Sequence, residues 1–168
     1  MNLFLDYTDK QIVTKEIKIS GSKSESNRLL ILRQWYPNLS LENLSDSDDT
    51  IHLQEALTST NKVIDIGHAG TAMRFLTAYF AGVEGKEVTL TGSERMQNRP
   101  IKILVDALIR LGAQIEYINE EGYPPLKIIG KNFTKNKVSI NGNVSSQYIS
   151  ALILLAPSLK NGLEIELL

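Results

Sequence analysis

Apolar positions along this chain follow two spacings in alternation, one typical of helices and one typical of strands. Residues 101–111 carry the clearest helical spacing, with Pro100 predicted as the first helical residue and Gly112 as the end. The same spacing predicts four more helices, over about 21–35, 46–57, 67–80 and 145–156. Alternating apolar and polar residues predict strands at 12–19, 39–44, 63–66, 86–91, 114–118, 126–129 and 137–140.

Three of the predicted helices begin with small and glycine residues, in the segments GSKSESNR at 21, GHAGTAMR at 67 and NVSSQYIS at 143. The first backbone N–H groups of a helix lack intrahelical acceptors, and the helix dipole makes that end partly positive. Such helix starts therefore favour phosphate or carboxylate. The recurrence predicts a repeated strand-helix unit rather than one unbroken parallel sheet. If the three starts converge, their polar residues line one polyanion site.

Four cations accompany these segments. Lys23 and Arg28 stand in the first helix start, where Asp or Glu is usually favoured, and a bound anion would offset their repulsion from the dipole. Arg95 and Arg99, from GSERMQNR at 92, add two guanidinium groups whose planar forks suit carboxylate and phosphate oxygens. The alternative is structural: solvated surface cations, serine helix caps and an ion pair for Arg74.

Composition places the chain among ordinary globular proteins, since 42% of its 168 residues are hydrophobic and 22% are charged. A formal net charge of −1 excludes the broad basic field of nucleic-acid binders, so a small anionic ligand fits better. Neither the Walker A loop of nucleotide-binding proteins nor the GxSxG elbow of serine hydrolases occurs in the sequence. The sequence has no long apolar run and no leader pattern, and we expect a soluble, cytoplasmic protein.

A metal site is not expected. The sequence has no cysteine, and His52 and His68 lack the HExxH spacing of a zinc site. Asp46, Asp48 and Asp49 resemble a metal cluster, but the helix dipole alone favours carboxylates at a helix start.

Ordered blocks along nearly the whole chain resemble the 5-enolpyruvylshikimate-3-phosphate synthase family, the 3-phosphoshikimate 1-carboxyvinyltransferases. The blocks are GSKSESNR at 21, NLSDSDDT at 43, GHAGTAMRFL at 67, LTGSERMQNRPI at 90, LVDALIRLGAQIEY at 104, YPPLKI at 123 and VSSQYISALILLAP at 144. The sister enolpyruvyl transferase acting on UDP-N-acetylglucosamine differs at the first and third blocks, and it is the alternative within this class.

The resemblance implies an α+β fold with α/β-type repeats, the enolpyruvyl transferase fold of βαβαββ units with helices packed inside and sheets outside. It also implies transfer of the enolpyruvyl group of phosphoenolpyruvate to the 5-hydroxyl of shikimate 3-phosphate. Phosphate is released, and the product serves aromatic amino-acid biosynthesis. The resemblance implies no metal or organic cofactor and no nucleic-acid or membrane partner.

The motif positions of the family assign residues to both substrates. Lys23 would lie between them and stabilise charge near the reacting hydroxyl. The shikimate 3-phosphate contacts that the resemblance implies are Lys23, Ser24, Arg28, Ser145, Ser146 and Gln147. The phosphoenolpyruvate contacts that it implies are Lys23, Gly70, Arg95, Gln147 and His68, which stands where the family usually has Asn. Thr71, Arg74 and Arg99 would shape that pocket.

Members of the family are considerably longer than this chain and fold as two lobes. The resemblance therefore implies an N-terminal part: a strand segment of the first lobe at 1–20 and an incomplete second lobe, with about two of three βαβαββ units, at 21–168. The acid/base carboxylates and further cationic clamps would come from the absent part. We expect a binding half-site with little turnover that self-associates or needs the C-terminal part, whereas the full-length family is monomeric. Alternatives from other classes are a catalytically silent module for a phosphosugar-like ligand and a purely structural domain.

Overall fold

A computed structural model describes residues 16–168, in which helices lead and strands join them from residue 63 onward. The helices are α1 Lys23–Trp35, α2 Asp48–Thr58, α3 Gly70–Gly82, α4 Glu94–Gln97, α5 Lys102–Leu111 and α6 Ser146–Leu155, the last followed by a 3₁₀ turn at Ala156–Ser158. The strands are β1 Val63–Asp65, β2 Glu87–Thr91, β3 Gln114–Tyr117, β4 Leu126–Ile129, β5 Lys137–Ile140 and β6 Glu164–Leu167.

Four of the strands form a mixed sheet in the order β1-β2-β4-β3. Strands β1 and β2 are parallel and joined through α3, whereas β4 runs antiparallel to both β2 and β3. Val88, Ile128 and Ile115 are paired across three of the strands and are all buried, so one face of the sheet covers the core. With α5 between β2 and β3, these elements make one βαβαββ succession.

The other two strands, β5 and β6, form a separate parallel pair joined through α6. A parallel pair needs a crossover connection, which the helix α6 supplies here. The strand-helix-strand pattern therefore begins again after the first succession, as the repeated helix starts of the sequence predict.

Helix α3 lies at the centre of the core. Eleven of its 13 residues are buried, which is typical of a helix covered on all sides. It packs against α1, α2, α5 and α6 and against the strands β2 and β4. Phe75, Leu76 and Phe80 supply much of the apolar volume.

Buried polar contacts join the first two helices. The Thr50 hydroxyl donates to Asn27 Oδ1 at 2.8 Å, and the Ser45 backbone N–H donates to Ser26 Oγ at 2.9 Å. Because both contacts are buried, breaking either would leave a polar group without a partner. The start of α2 is therefore fixed relative to α1.

The strand predictions from residue 63 onward are confirmed, and the predicted strand at 39–44 is wrong. Asn43 takes a left-handed conformation with φ 49°, which interrupts an extended run. Leu41 and Leu44 instead pack against the helical core from an irregular segment. The strand predicted at 12–19 lies outside the described residues over 12–15, and residues 16–19 form no strand. Most of the 1–20 segment also lies outside the described residues.

The predicted start of α5 is also displaced. The helix begins at Lys102, after Ile101, so Pro100 precedes the helix rather than opening it. The Ile101 N–H donates to the Gly122 carbonyl at 2.8 Å, and the buried Ile101 side chain anchors the chain before it turns. Gly112 ends the helix in the left-handed conformation, with φ 114°, as its sequence position predicts.

Two tyrosines whose hydroxyl groups differ in hydrogen bonding, the partly buried Tyr117 and the buried Tyr148, give a matched test. The Tyr117 hydroxyl has no hydrogen-bond partner within residues 16–168, whereas Tyr148 Oη donates to the Pro100 carbonyl at 2.7 Å. We expect Tyr117→Phe to leave the free energy of unfolding unchanged or slightly higher at pH 7. Tyr148→Phe should lower it by about 0.5–1.5 kcal/mol. Urea denaturation measures both, and a larger loss for Tyr117→Phe would contradict the assignment.

The Tyr117 hydroxyl should also make the stability of the chain depend on pH in the alkaline range. Burial raises the pKa of Tyr117 to about 12, so the unfolded chain loses this proton before the folded chain does. The free energy of unfolding should therefore fall between about pH 10 and pH 12, and Tyr117→Phe should remove that part of the fall. Denaturation midpoints collected over this pH range provide the measurement.

Candidate active site

Side-chain contacts join the first two turns of α1, α3 and α6. Arg28 of α1 donates from Nη2 to Ser150 Oγ of α6 at 3.0 Å, and its guanidinium lies 5.5 Å from the centre of the Phe75 ring of α3. Arg74 of α3 lies 5.3 Å from the centre of the Tyr148 ring of α6. The three helices whose starts carry the small-residue motifs are therefore neighbours, as their convergence requires.

Lys23 connects the start of α1 to the starts of α2 and α3. Its ammonium lies 3.6 Å from Asp49 Oδ2, and Asp49 Oδ1 accepts the backbone N–H of Thr71 at 3.0 Å. The Asp49 carboxylate therefore contacts both Lys23 and the backbone of Thr71, two residues that the sequence assigns to the site.

A cavity of about 190 Å³ is lined by His68, Arg95, Met96 and Arg99. The Arg99 guanidinium lies directly over Gly70, where an added Cβ atom would collide with it. The cavity therefore brings the start of α3 together with the 92–99 segment. The Ser93 N–H donates to the Gly67 carbonyl at 2.8 Å, which fastens the two segments side by side.

The arginines of this region have no acidic partner. Across residues 16–168, no carboxylate lies within 4.0 Å of the guanidinium nitrogens of Arg28, Arg74, Arg95 or Arg99. Arg74 is only 7% exposed, and its Nη1 donates to the Gly70 carbonyl at 2.7 Å, while its Nε finds no partner in the described chain. We call these four arginines and Lys23 the cation cluster. A set of cations with so little internal compensation is suited to bind a polyanion.

The serines of the predicted site lie in the first turn of α1 and at the start of α6, where Ser145 is the N-cap. Ser24 accepts from Arg28 Nη1 at 2.6 Å, which holds the guanidinium along α1. Ser145 caps α6 by accepting the Gln147 N–H at 3.4 Å, and Ser146 beside it is exposed. The cap does not exclude a ligand, since the exposed hydroxyls and the first turn of α6 face solvent.

His68 stands at the mouth of the cavity. Its Nε2 lies 3.4 Å from Asp48 Oδ2, and both side chains are largely exposed. His52 lies edge-on to it, with ring centres 6.5 Å apart. In the part of the chain that the structure covers, no group of three or more His, Cys, Asp or Glu side chains is placed to hold a metal ion.

Sequence reasoning missed three contributors to this region. Asp49 was indistinguishable from Asp46 and Asp48, because all three fit the usual preference for acids at a helix start. Ser150 carries a weak signal, since it is a polar residue one turn into an otherwise apolar helix. Tyr148 carries none, because an aromatic residue in that position fits an ordinary core.

The EPSP synthase family model, described as EPSP synthase (3-phosphoshikimate 1-carboxyvinyltransferase), matches residues 38–168. A curated 3-phosphoshikimate 1-carboxyvinyltransferase from Bacteroides fragilis strain YCH46 is 55% identical over 152 residues, covering 90% of this chain and 37% of the relative. The enzyme of the same name from Mannheimia haemolytica is 39% identical over 185 residues, covering 93% of this chain and 43% of the relative. The chain thus spans about two fifths of the length of these relatives.

The fold agrees with solved structures of the family. A structure of EPSP synthase from Acinetobacter baumannii superposes with a TM-score of 0.70 at 19% identity, covering 83% of this chain and 38% of that one. This likeness establishes the fold, including the helix-and-sheet arrangement expected from the sequence. No helix among the described residues is long and apolar enough to cross a membrane.

The unpaired guanidinium groups predict that small polyanions stabilise the folded chain. At a phosphate concentration about ten times Kd, the stabilisation should be about 1.4 kcal/mol, a rise in Tm of about 3–6 °C. Sodium chloride at equal ionic strength provides the reference in a thermal unfolding experiment.

Matched variants localise that effect. Arg99→Gln should lose most of the phosphate-dependent rise in Tm. Arg110→Gln should keep it, because Arg110 is an exposed arginine on α5 that donates to the Ser139 carbonyl at 3.3 Å, outside the cluster. Equal rises in both variants and the parent chain would contradict anion binding at the cluster.

Proposed function

The chain belongs to the EPSP synthase family, and from that premise we propose that its cation cluster binds shikimate 3-phosphate and phosphoenolpyruvate for enolpyruvyl transfer. The observation that carries the proposal is the set of four arginines without an acidic partner in residues 16–168, gathered where three helix starts meet. Two polyanions bound side by side require this surplus of positive charge. Neutral or cationic ligands would leave it uncompensated.

We assign shikimate 3-phosphate to the α1 and α6 side of the cluster. Two contacts support this choice: Arg28 bridges the helices through Ser150, and Ser24 braces its guanidinium. Arg28 would then bind the carboxylate, while Ser145 and Ser146 at the start of α6 would donate to the phosphate. The full set proposed for this substrate is Lys23, Ser24, Arg28, Ser145, Ser146 and Gln147.

Phosphoenolpyruvate is assigned to the cavity at the start of α3. Arg95 and Arg99 both line that cavity, and Arg99 lies over Gly70, so Arg99 is as well placed to bind an anion as Arg95. Lys23, Gly70 and Gln147 complete the proposed contacts, with His68 at the mouth. Thr71 and Arg74 shape the cavity from α3. The Thr71 N–H already donates to Asp49, which leaves its side chain for this role.

The proposed reaction is an addition followed by an elimination. The 5-hydroxyl oxygen forms a bond to C2 of phosphoenolpyruvate while C3 gains a proton, and the hydroxyl proton is released. The bond from C2 to the phosphate oxygen then breaks, C3 returns a proton, and inorganic phosphate leaves. Lys23, between the substrates, would stabilise negative charge near the reacting oxygen, and the arginines would hold both anions in contact.

In this scheme, proton transfer is carried out by residues in the part of the relatives that this chain does not match. Within residues 16–168, the one carboxylate within 4.0 Å of a cluster cation is that of Asp49, and both of its oxygens already face partners. We therefore propose that the chain by itself binds substrate with little turnover. Residues 1–20 would belong to a first lobe and 21–168 to an incomplete second lobe, acting in the cytoplasm.

Substitution of Lys23 tests the assignment. Lys23→Ala removes a charged donor to shikimate 3-phosphate, which should weaken binding about 10- to 100-fold in titration calorimetry. Lys160→Ala, which removes an exposed lysine beyond α6, is the matched control and should bind as the parent chain does. Unchanged affinity in Lys23→Ala would refute the assignment, and no binding by the parent chain would favour a structural domain.

Turnover separates a synthase from a silent binding module. A phosphate-release assay with both substrates should show little activity for the chain alone. Adding the remaining part of the Bacteroides fragilis relative as a separate polypeptide should restore measurable turnover, because it would supply the proton-transfer groups. Ordinary turnover by the chain alone would contradict the division of roles proposed here. Failure of the pair to turn over, despite tight binding of shikimate 3-phosphate, would favour the silent module.

A further inference from the structure

Asp49 differs from the acidic residues beside it in its surroundings. Asp48, one residue earlier in the first turn of α2, has a side chain that is 70% exposed, whereas that of Asp49 is 16% exposed. A carboxylate withdrawn this far from water needs partners to offset its lost hydration. Its two partners, the Lys23 ammonium and the Thr71 N–H, belong to two different helices of the site.

We propose that Asp49 is a positioning residue that holds the Lys23 ammonium beside the start of α3 without consuming its hydrogen-bond donors. This proposal rests on the proposed function of Lys23 as the cation between the two substrates. It adds a residue that the motif resemblance did not assign, and it gives that residue a role distinct from direct contact with substrate.

The distances support positioning rather than a closed ion pair. The separation of 3.6 Å between Lys23 Nζ and Asp49 Oδ2 exceeds the 2.7–2.9 Å typical of a charge-assisted hydrogen bond. The ammonium is therefore attracted to the carboxylate, while within residues 16–168 no hydrogen bond engages its N–H groups. Lys23 is 51% exposed, so a ligand can reach it.

The carboxylate itself is rigidly held. Asp49 Oδ1 accepts the Thr71 N–H at 3.0 Å, which fixes the carboxylate against α3. The helix that carries Asp49 is joined to α1 by the buried contact between Thr50 and Asn27. Asp49 thus lies at a fixed point between the helix of Lys23 and the helix of Gly70, and its field keeps the flexible lysine in one region.

The direction in which anion affinity changes when Asp49 is removed separates two explanations of its role. If Asp49 were merely a negative charge near an anion site, its removal would strengthen anion binding by relieving repulsion. If Asp49 positions Lys23, its removal should weaken binding, because the freed lysine must be ordered again when the ligand binds. The two explanations predict opposite changes in affinity.

Three variants of the chain decide between them in titration calorimetry with shikimate 3-phosphate. Asp49→Asn, which keeps an oxygen for the Thr71 N–H but removes the charge, should weaken binding about 5- to 10-fold. Asp49→Ala, which removes the contacts to both Lys23 and Thr71, should weaken binding more. Asp46→Asn removes an equal charge from an exposed position before the same helix and should bind as tightly as the parent or slightly more tightly. Equal or tighter binding by Asp49→Asn would overturn the proposal.

Two measurements without ligand keep this test independent of the proposed function. Thr71 amide hydrogen exchange should accelerate at least about tenfold in Asp49→Ala and remain slow in Asp49→Asn, because only alanine removes the acceptor. NMR relaxation of the Lys23 side chain should show greater mobility in both variants. Failure of the parent chain to bind shikimate 3-phosphate would refute the proposed function alone. Unchanged Lys23 mobility in both Asp49 variants would refute the positioning role whether or not the chain binds ligand.

Discussion

The burial of α3 on all sides determines where every cation of the cluster lies. Four other helices pack around α3, so its first turn is the place where their own starts meet. Arg74, one turn into that helix, is buried, and its guanidinium lies beside the Tyr148 ring. Within residues 16–168 its charge is offset by the Gly70 carbonyl and the aromatic face, which compensate less than a carboxylate would. The packing that forms the core therefore also produces a deficit of negative charge at its polar end.

Because of this deficit of negative charge, the stability of the fold should depend on whether an anion is bound. Arg74 and Arg99 both lie against Gly70, so their positive charges repel each other. An anion that binds only the folded chain removes part of this cost and so adds to the free energy of unfolding. Under the proposed function, the same interaction provides affinity for substrate and stability for the chain. A sequence optimised for stability alone would instead place acids beside Arg28 and Arg99.

Much of this arrangement could be predicted from local sequence patterns. Helix α5, its glycine end and the strands β1 to β5 follow from spacing, because each buries one regular face. The irregular 39–44 segment could not be predicted, since its alternating leucines fit a strand equally well and only Asn43 interrupts it. The predicted helix start at Pro100 lies two residues before the observed one for a similar reason, because the Ile101 N–H finds its acceptor in a distant loop at Gly122.

In the candidate site, too, local sequence motifs could be predicted and contacts between distant residues could not. The helix starts and their cations are visible as motifs, but which cation meets which helix depends on contacts between residues far apart in sequence, such as Arg28 and Ser150. The sequence also could not show that Arg99 is as well placed as Arg95 to bind an anion, because only the fold places the Arg99 guanidinium over Gly70.

Under the proposed function, binding and proton transfer are separable because they draw on different kinds of group. Binding needs fixed positive charge, which the cluster supplies from helices packed around one core. Proton transfer needs a group with a free oxygen or nitrogen at the reacting atoms, and the carboxylate nearest Lys23 is engaged on both sides. Asp49 is therefore better understood as part of the scaffold that orders a cation than as an acid or base. In the proposed reaction, the chain would hold the substrates together, and a second set of residues facing the cluster would move the protons.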